Sequence, residues 1–202
     1  MALTFWYDFS SSYSFLAALR MEDVAHNAGV VVDWQPFLLG LIFRDAGYSG
    51  SPNLMFPAKT AYMWRDIARR AAQRGEAFQV PEPFPQKSVA AARAALALKR
   101  LERPAFTAAL FRQLFQQGRD ISDLETIAEA ARTCDLDPDS VVAGASDADA
   151  KAALFDTNER AKAHGIFGAP TFIASDGELF WGDDRLDDAL AWERFGSMPS
   201  GG

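Results

Sequence analysis

Leu3-Thr4-Phe5-Trp6-Tyr7-Asp8-Phe9-Ser10-Ser11-Ser12-Tyr13-Ser14-Phe15-Leu16 joins two backbone habits within a few residues. Residues 3–9 are aromatic and apolar over too short a run for a helix, and they read as a buried strand. Three serines interrupt the run. From Tyr13 the apolar positions Phe15, Leu16, Leu19 and Val24 recur at helical spacing as far as Ala28, where Gly29 supplies a stop. Val30-Val31-Val32-Asp33-Trp34 is a second β-branched run, ended by Pro36. The front of the chain therefore reads β-α-β, with a parallel strand pair and a right-handed crossover.

The far end mirrors it. Pro170-Thr171-Phe172-Ile173-Ala174 is a strand candidate, Asp176-Gly177 a hairpin turn, and Glu178 to Trp181 the returning strand. Asp184 to Phe195 reads as the last helix, and the tail from Met198 as disordered. Between the two ends the pattern is helical and alanine-rich. Pro57 and Gly75 bracket one helix, Ser88 to Leu101 form a second, and Pro104 to about Gly118 a third. Ser122-Asp123-Leu124-Glu125 has the form of a capping box, Asp137-Pro138 opens a short helix, and Asp147 caps one running to His164. A length of 202 residues is awkward for one minimal domain and is explained by a helical block inserted into an α/β domain.

Composition narrows the function classes. Twenty Lys and Arg against 27 Asp and Glu leave a net charge of −7, which argues against nonspecific nucleic-acid binding. The single cysteine, Cys134, excludes an internal disulfide, a Cys-x-x-Cys redox centre and a cysteine-cluster metal site. It is expected to be a small buried residue in the helical block. No basic segment precedes an apolar stretch at the N-terminus, Asp8 interrupts the run early, and no stretch of about 18 apolar residues occurs. A cytoplasmic protein off the membrane is expected. His26 and His164 lie far apart and read as surface histidines, with no metal site implied.

The β-α-β and β-β-α halves, with Phe167-Gly168-Ala169-Pro170-Thr171-Phe172 before the third strand, resemble a thioredoxin-type fold. They are most similar to its branch with a large all-α insertion, which holds disulfide oxidoreductases and kappa-class glutathione transferases. Within that branch three segments resemble the 2-hydroxychromene-2-carboxylate isomerase family: Tyr7 to Ser14; Ser51-Pro52-Asn53 with Pro57-Ala58-Lys59; and Gly165 to Thr171 with Phe180-Trp181-Gly182-Asp183-Asp184-Arg185-Leu186. The implied division is a thioredoxin-like domain of residues 1–38 and 166–198, an insertion of 39–165, and a tail of 199–202.

Redox members of this fold place Cys-x-x-Cys at the start of the first helix; here Ser11-Ser12-Tyr13-Ser14 stand there, so dithiol exchange is impossible at this site. The helix dipole and free N–H groups remain, and they favour a thiolate. Lowering a thiol pKa from about 8.5 by two units needs roughly 2.7 kcal/mol of preferential stabilisation. The resemblance implies that the thiol comes from glutathione, with Ser11 against its sulfur. Read without the resemblance, Ser10, Ser11 or Ser12 is an N-cap. The family usually carries proline where this chain has Ser12.

The resemblance also implies a cis Pro170, with Ala169 offering its backbone to glutathione as an added strand does. Read from the residues alone, Pro170 is a strand-start proline. Asp183-Asp184-Arg185 reads as a helix cap; the resemblance adds a role in holding the γ-glutamyl end of glutathione. Asparagine is frequent in the family where Asp183 stands. Substrate contacts map onto Asn53, onto Arg44, where lysine is common, and onto Lys59, all suited to a small aromatic carboxylate. Tyr62, Trp64 and Phe84 are candidate aromatic walls. Lys87 replaces a frequent asparagine. The implied activity is a glutathione-dependent cis-trans isomerisation in aromatic-compound breakdown, carried out by a homodimer. A conjugating kappa-class transferase is the alternative, and a thioredoxin-fold binding module without catalysis the third reading.

Overall fold

The computed structural model describes residues 2–52 and 54–198, so the tail 199–202 and Asn53 lie outside the described residues. The fold is α/β, built on a mixed sheet of order β2-β1-β3-β4. β1 (Ala2–Tyr7) runs parallel to β2 (Val31–Pro36), with Phe5 opposite Trp34. Its other edge pairs antiparallel with β3 (Thr171–Ile173), with Phe5 opposite Phe172. β3 turns through Asp176-Gly177 into β4 (Leu179–Trp181). Gly177 has φ +96°, a conformation that glycine adopts without a Cβ penalty. The parallel pair and the hairpin are as the sequence predicts.

α1 (Ser12–Ala28) follows β1 and ends on Gly29 in the left-handed region. Between β2 and β3 come α2 (Leu39–Asp45), α3 (Pro57–Gln73), α4 (Val89–Ala97), α5 (Arg103–Phe115), α6 (Leu124–Arg132), α7 (Pro138–Ser146) and α8 (Ala148–Ala163). α9 (Leu186–Phe195) closes the described chain. α5 packs on α1, and a run of rings joins the sheet to the helical block without a break: Tyr7–Phe9 at 5.4 Å, Phe9–Phe111 at 5.1 Å and Phe15–Phe115 at 5.0 Å. Burying each such ring contributes about 1.5–3 kcal/mol. The shared core holds the helical block against the strand ends from which the site is built.

Four elements differ from the sequence reading. α2 has no clear periodic signal in the sequence and is an addition. α4 stops at Ala97 and does not continue to Leu101, because the buried Arg103 donates to the carbonyls of Ala95, Leu96 and Leu98 as well as to Trp34. Those bonds satisfy carbonyls that a further helical turn would have used. The cap of α6 is Asp123 and not Ser122: Asp123 accepts from Glu125 N at 3.0 Å, while the Ser122 hydroxyl donates to Asp120. The last helix begins at Leu186, after a 3-10 turn over Asp183–Arg185. Cys134 is half-buried and not fully enclosed, and burial pushes its thiol pKa up, away from the reactive thiolate.

Candidate active site

The chain leaves β1 at Tyr7 and enters α1 at Ser12, so Ser10, Ser11 and Ser12 lie at a strand's C-terminal end and a helix's N-terminus. Ser11 is the N-cap, with φ −99° and ψ 116°, and its Oγ accepts from Ser14 N at 3.2 Å. The same hydroxyl donates to the Ala169 carbonyl at 2.9 Å. The Ala169-Pro170 bond is cis, and Ala169 N–H has no hydrogen-bond partner among the described residues. A free N–H beside a carbonyl is the donor and acceptor pair that an added extended backbone requires. The Ser10 hydroxyl donates to the Gln86 carbonyl, tying the serine loop to the segment before α4.

The acidic loop is pinned to the same place. Gly182 N donates to Pro170 O at 3.0 Å, and Gly182 takes φ +114°, where any Cβ would press on the Asp184 carboxylate. Asp183 is fully buried, and both its oxygens are engaged by arginines. Arg74 reaches Oδ1 at 3.1 Å and Oδ2 at 2.7 Å, Arg70 reaches Oδ2 at 3.3 Å, and Arg20 lies 3.6 Å from Oδ1. Arg20 also donates to the Asp183 carbonyl. Asp184 and Arg185 are exposed beside it.

These segments surround a cavity of about 1200 Å³. Pockets for small molecules span roughly 300–1,000 Å³, so this cavity is larger than one small ligand needs. Phe167 and Trp181 stand edge to face at 5.0 Å on its rim, and a Cβ on Gly168 would lie inside the Trp181 indole. That close approach explains the glycine.

A family model for the DSBA-like thioredoxin domain matches residues 2–191. The chain belongs to this DSBA-like family. It is 28% identical over 188 residues to a 2-hydroxychromene-2-carboxylate isomerase of Sphingobium xenophagum, covering 92% of this chain and 94% of that one. It is 25% identical to glutathione S-transferase kappa 2 of Caenorhabditis elegans, over 90% of this chain and 87% of the other. The solved structure of a selenomethionine 2-hydroxychromene-2-carboxylate isomerase superposes with a TM-score of 0.83 at 22% identity, covering 92% of this chain and 91% of that chain, a likeness of fold.

In this DSBA-like chain the cavity brings together Ser11, Ala169, Asp183, Asp184, Arg185, Arg44 and Lys59. Pro170 stands directly behind Ala169. Arg44 is largely exposed at the end of α2 and ion-paired with Asp45, and Lys59 is exposed on the first turn of α3. Asn53 lies outside the described residues. Tyr62 and Phe84 line the cavity, whereas Trp64 backs Phe84 at 4.8 Å. Lys87 is exposed and does not line the cavity.

Two lining residues carry roles that the sequence did not reveal. Tyr13 donates to Asp66 at 3.0 Å, and Arg70 donates to the same oxygen. Burial and the Asp66 bond push the Tyr13 hydroxyl well above the usual range, so it stays a neutral donor. Asp8 is buried and accepts from Ser10 N at 2.9 Å, Ser88 Oγ at 2.8 Å and Leu39 N at 2.8 Å. It thereby joins the serine loop to the first residue of α2 and to the N-cap of α4. Burial raises its pKa against these three donors, which favour the ionised form. Its only sequence signal is an acidic residue ending an aromatic strand. Asp8→Ala leaves three donors short of a partner and is expected to cost about 2 kcal/mol, lowering the melting temperature by roughly 4–8 °C in thermal denaturation. Asp8→Asn, which keeps an acceptor, is expected to lose less.

Proposed function

We propose that this chain is a glutathione-dependent isomerase of the 2-hydroxychromene-2-carboxylate type. The observation that carries the reading is a thioredoxin-type helix start bearing Ser11-Ser12-Tyr13-Ser14, with no cysteine among the four, whose Ser11 hydroxyl donates to the Ala169 carbonyl before Pro170. The 28% identical isomerase supports it. The site residues fit glutathione: Ala169 presents an unpaired N–H beside its carbonyl, and the helix terminus suits a thiolate.

Glutathione, when bound, would supply a thiol capable of reversible addition to an electrophilic carbon. The chain's own residues bind and orient. Ala169 N–H and C=O align the tripeptide backbone, and Ser11 lies against the sulfur position. Asp184 accepts from the γ-glutamyl ammonium, while Asp183, committed to its arginines, holds the loop in place. Arg185 contributes charge at the same end. Arg44, Lys59 and Asn53 take the substrate carboxylate, and Tyr62 and Phe84 flank its ring. The site serves a small aromatic carboxylate in a cytoplasmic homodimer.

A kappa-class transferase is the second reading, favoured by the 25% identity to glutathione S-transferase kappa 2. Incubation with glutathione and 2-hydroxychromene-2-carboxylate, followed by mass spectrometry of the products, separates the two. An isomer with glutathione unchanged is expected. A released glutathione adduct would make the chain a transferase. Calorimetry showing no glutathione binding would sink both readings and leave a binding module.

A further inference from the structure

Ser11 has one proton and one task for it already. Its hydroxyl donates to the Ala169 carbonyl at 2.9 Å, and its oxygen accepts from Ser14 N at 3.2 Å. To donate to a sulfur it must first release Ala169. The neighbouring Ser12 is under no such constraint. It is the first residue of α1, 3% exposed, and lines the same cavity. Its hydroxyl has no hydrogen-bond partner among the described residues. With no partner inside the protein, a hydroxyl on the cavity wall keeps its proton free for a ligand.

We propose that the Ser12 hydroxyl is the side-chain donor to the glutathione sulfur, a catalytic residue, and the proposal rests on the glutathione reading above. On binding, the S–H bond gives its proton to water and its electron pair stays on sulfur. The Ser12 O–H bond stays intact and points at that charge. Ser11 keeps the cap and the Ala169 bond, so the two serines divide the work of shaping the site and holding the anion. The other charged groups lining the cavity are Asp8, Asp66, Asp184, Arg44, Lys59, Arg70 and Arg185, with Asp183 tied to its arginines. All are unchanged by a substitution at Ser12, so a difference in thiol titration reports the hydroxyl.

The test titrates protein-bound glutathione by thiolate absorbance near 240 nm for the native protein, Ser12→Ala and Ser12→Thr, with calorimetric affinity measured alongside. Ser12→Ala is expected to raise the bound thiol pKa by about one unit, a tenfold smaller thiolate fraction well below that pKa. Ser12→Thr, which keeps the hydroxyl, is expected to titrate like the native protein. If Ser12→Ala binds glutathione and titrates with the native pKa, the proposal is overturned while the glutathione reading stands. If the native protein binds no glutathione, both fall.

Discussion

Ser11→Ala is expected to lower turnover with glutathione and a chromene-type carboxylate by about 100-fold, the usual cost of misplacing a bound reactant by about an ångström. Two bonds are at stake in the substitution. The N-cap bond to Ser14 N disappears, at a cost of about 1 kcal/mol to the helix. The Ala169 carbonyl loses its donor, so the backbone that aligns the tripeptide is no longer tied to α1. Ser11→Thr retains both bonds and is expected to keep most of the activity. Steady-state kinetics checks the pair; full turnover in the alanine variant would remove Ser11 from the mechanism.

Asp183→Ala is expected to destabilise the fold by about 3 kcal/mol. Breaking a buried ion pair costs roughly 3–5 kcal/mol, and the lower end applies because the Arg20, Arg70 and Arg74 side chains keep 20%, 31% and 26% of their exposure. The melting temperature is expected to fall by roughly 6–12 °C. The reason is geometric as well as electrostatic. Arg74 grips both carboxylate oxygens and also donates to the Leu16 carbonyl of α1, while Arg70 carries the link to Asp66 and Tyr13. Removing the anion leaves three cations facing one another and frees the loop that carries Asp184. Glutathione affinity is therefore expected to fall with stability. Thermal denaturation and calorimetry measure the two; a melting temperature within 2 °C of native would show that the arginines find other partners.

Asp183 also marks the limit of what adjacent residues reveal. Asp183-Asp184-Arg185 reads as a helix cap with a ligand role, and the cap reading concerns the nearest backbone alone. The arginines that claim Asp183 come from α1, from α3 and from the residue that caps α3, more than 100 positions away in the chain. They pull it inward, and α9 starts two residues later than Asp184 would have started it. Asp8 shows the same limit, since Leu39 and Ser88, two of its partners, come from separate elements. Arg103 shows it for an element boundary, ending α4 by reaching back to carbonyls that precede it.

Sequence by itself determined the strand, serine and helix order at the front, the hairpin and proline at the back, and the missing sulfur at the helix start. Each is written in side-chain periodicity, in turn-forming pairs or in a single residue type, all of which act over a few neighbouring positions. Tertiary structure alone decided that the Ser11 hydroxyl meets Ala169, that Asp8 ties three elements together, and that Arg44 and Lys59 share a cavity with both. These depend on how the helical block packs through one continuous aromatic core. No local pattern encodes where residues far apart in the chain converge.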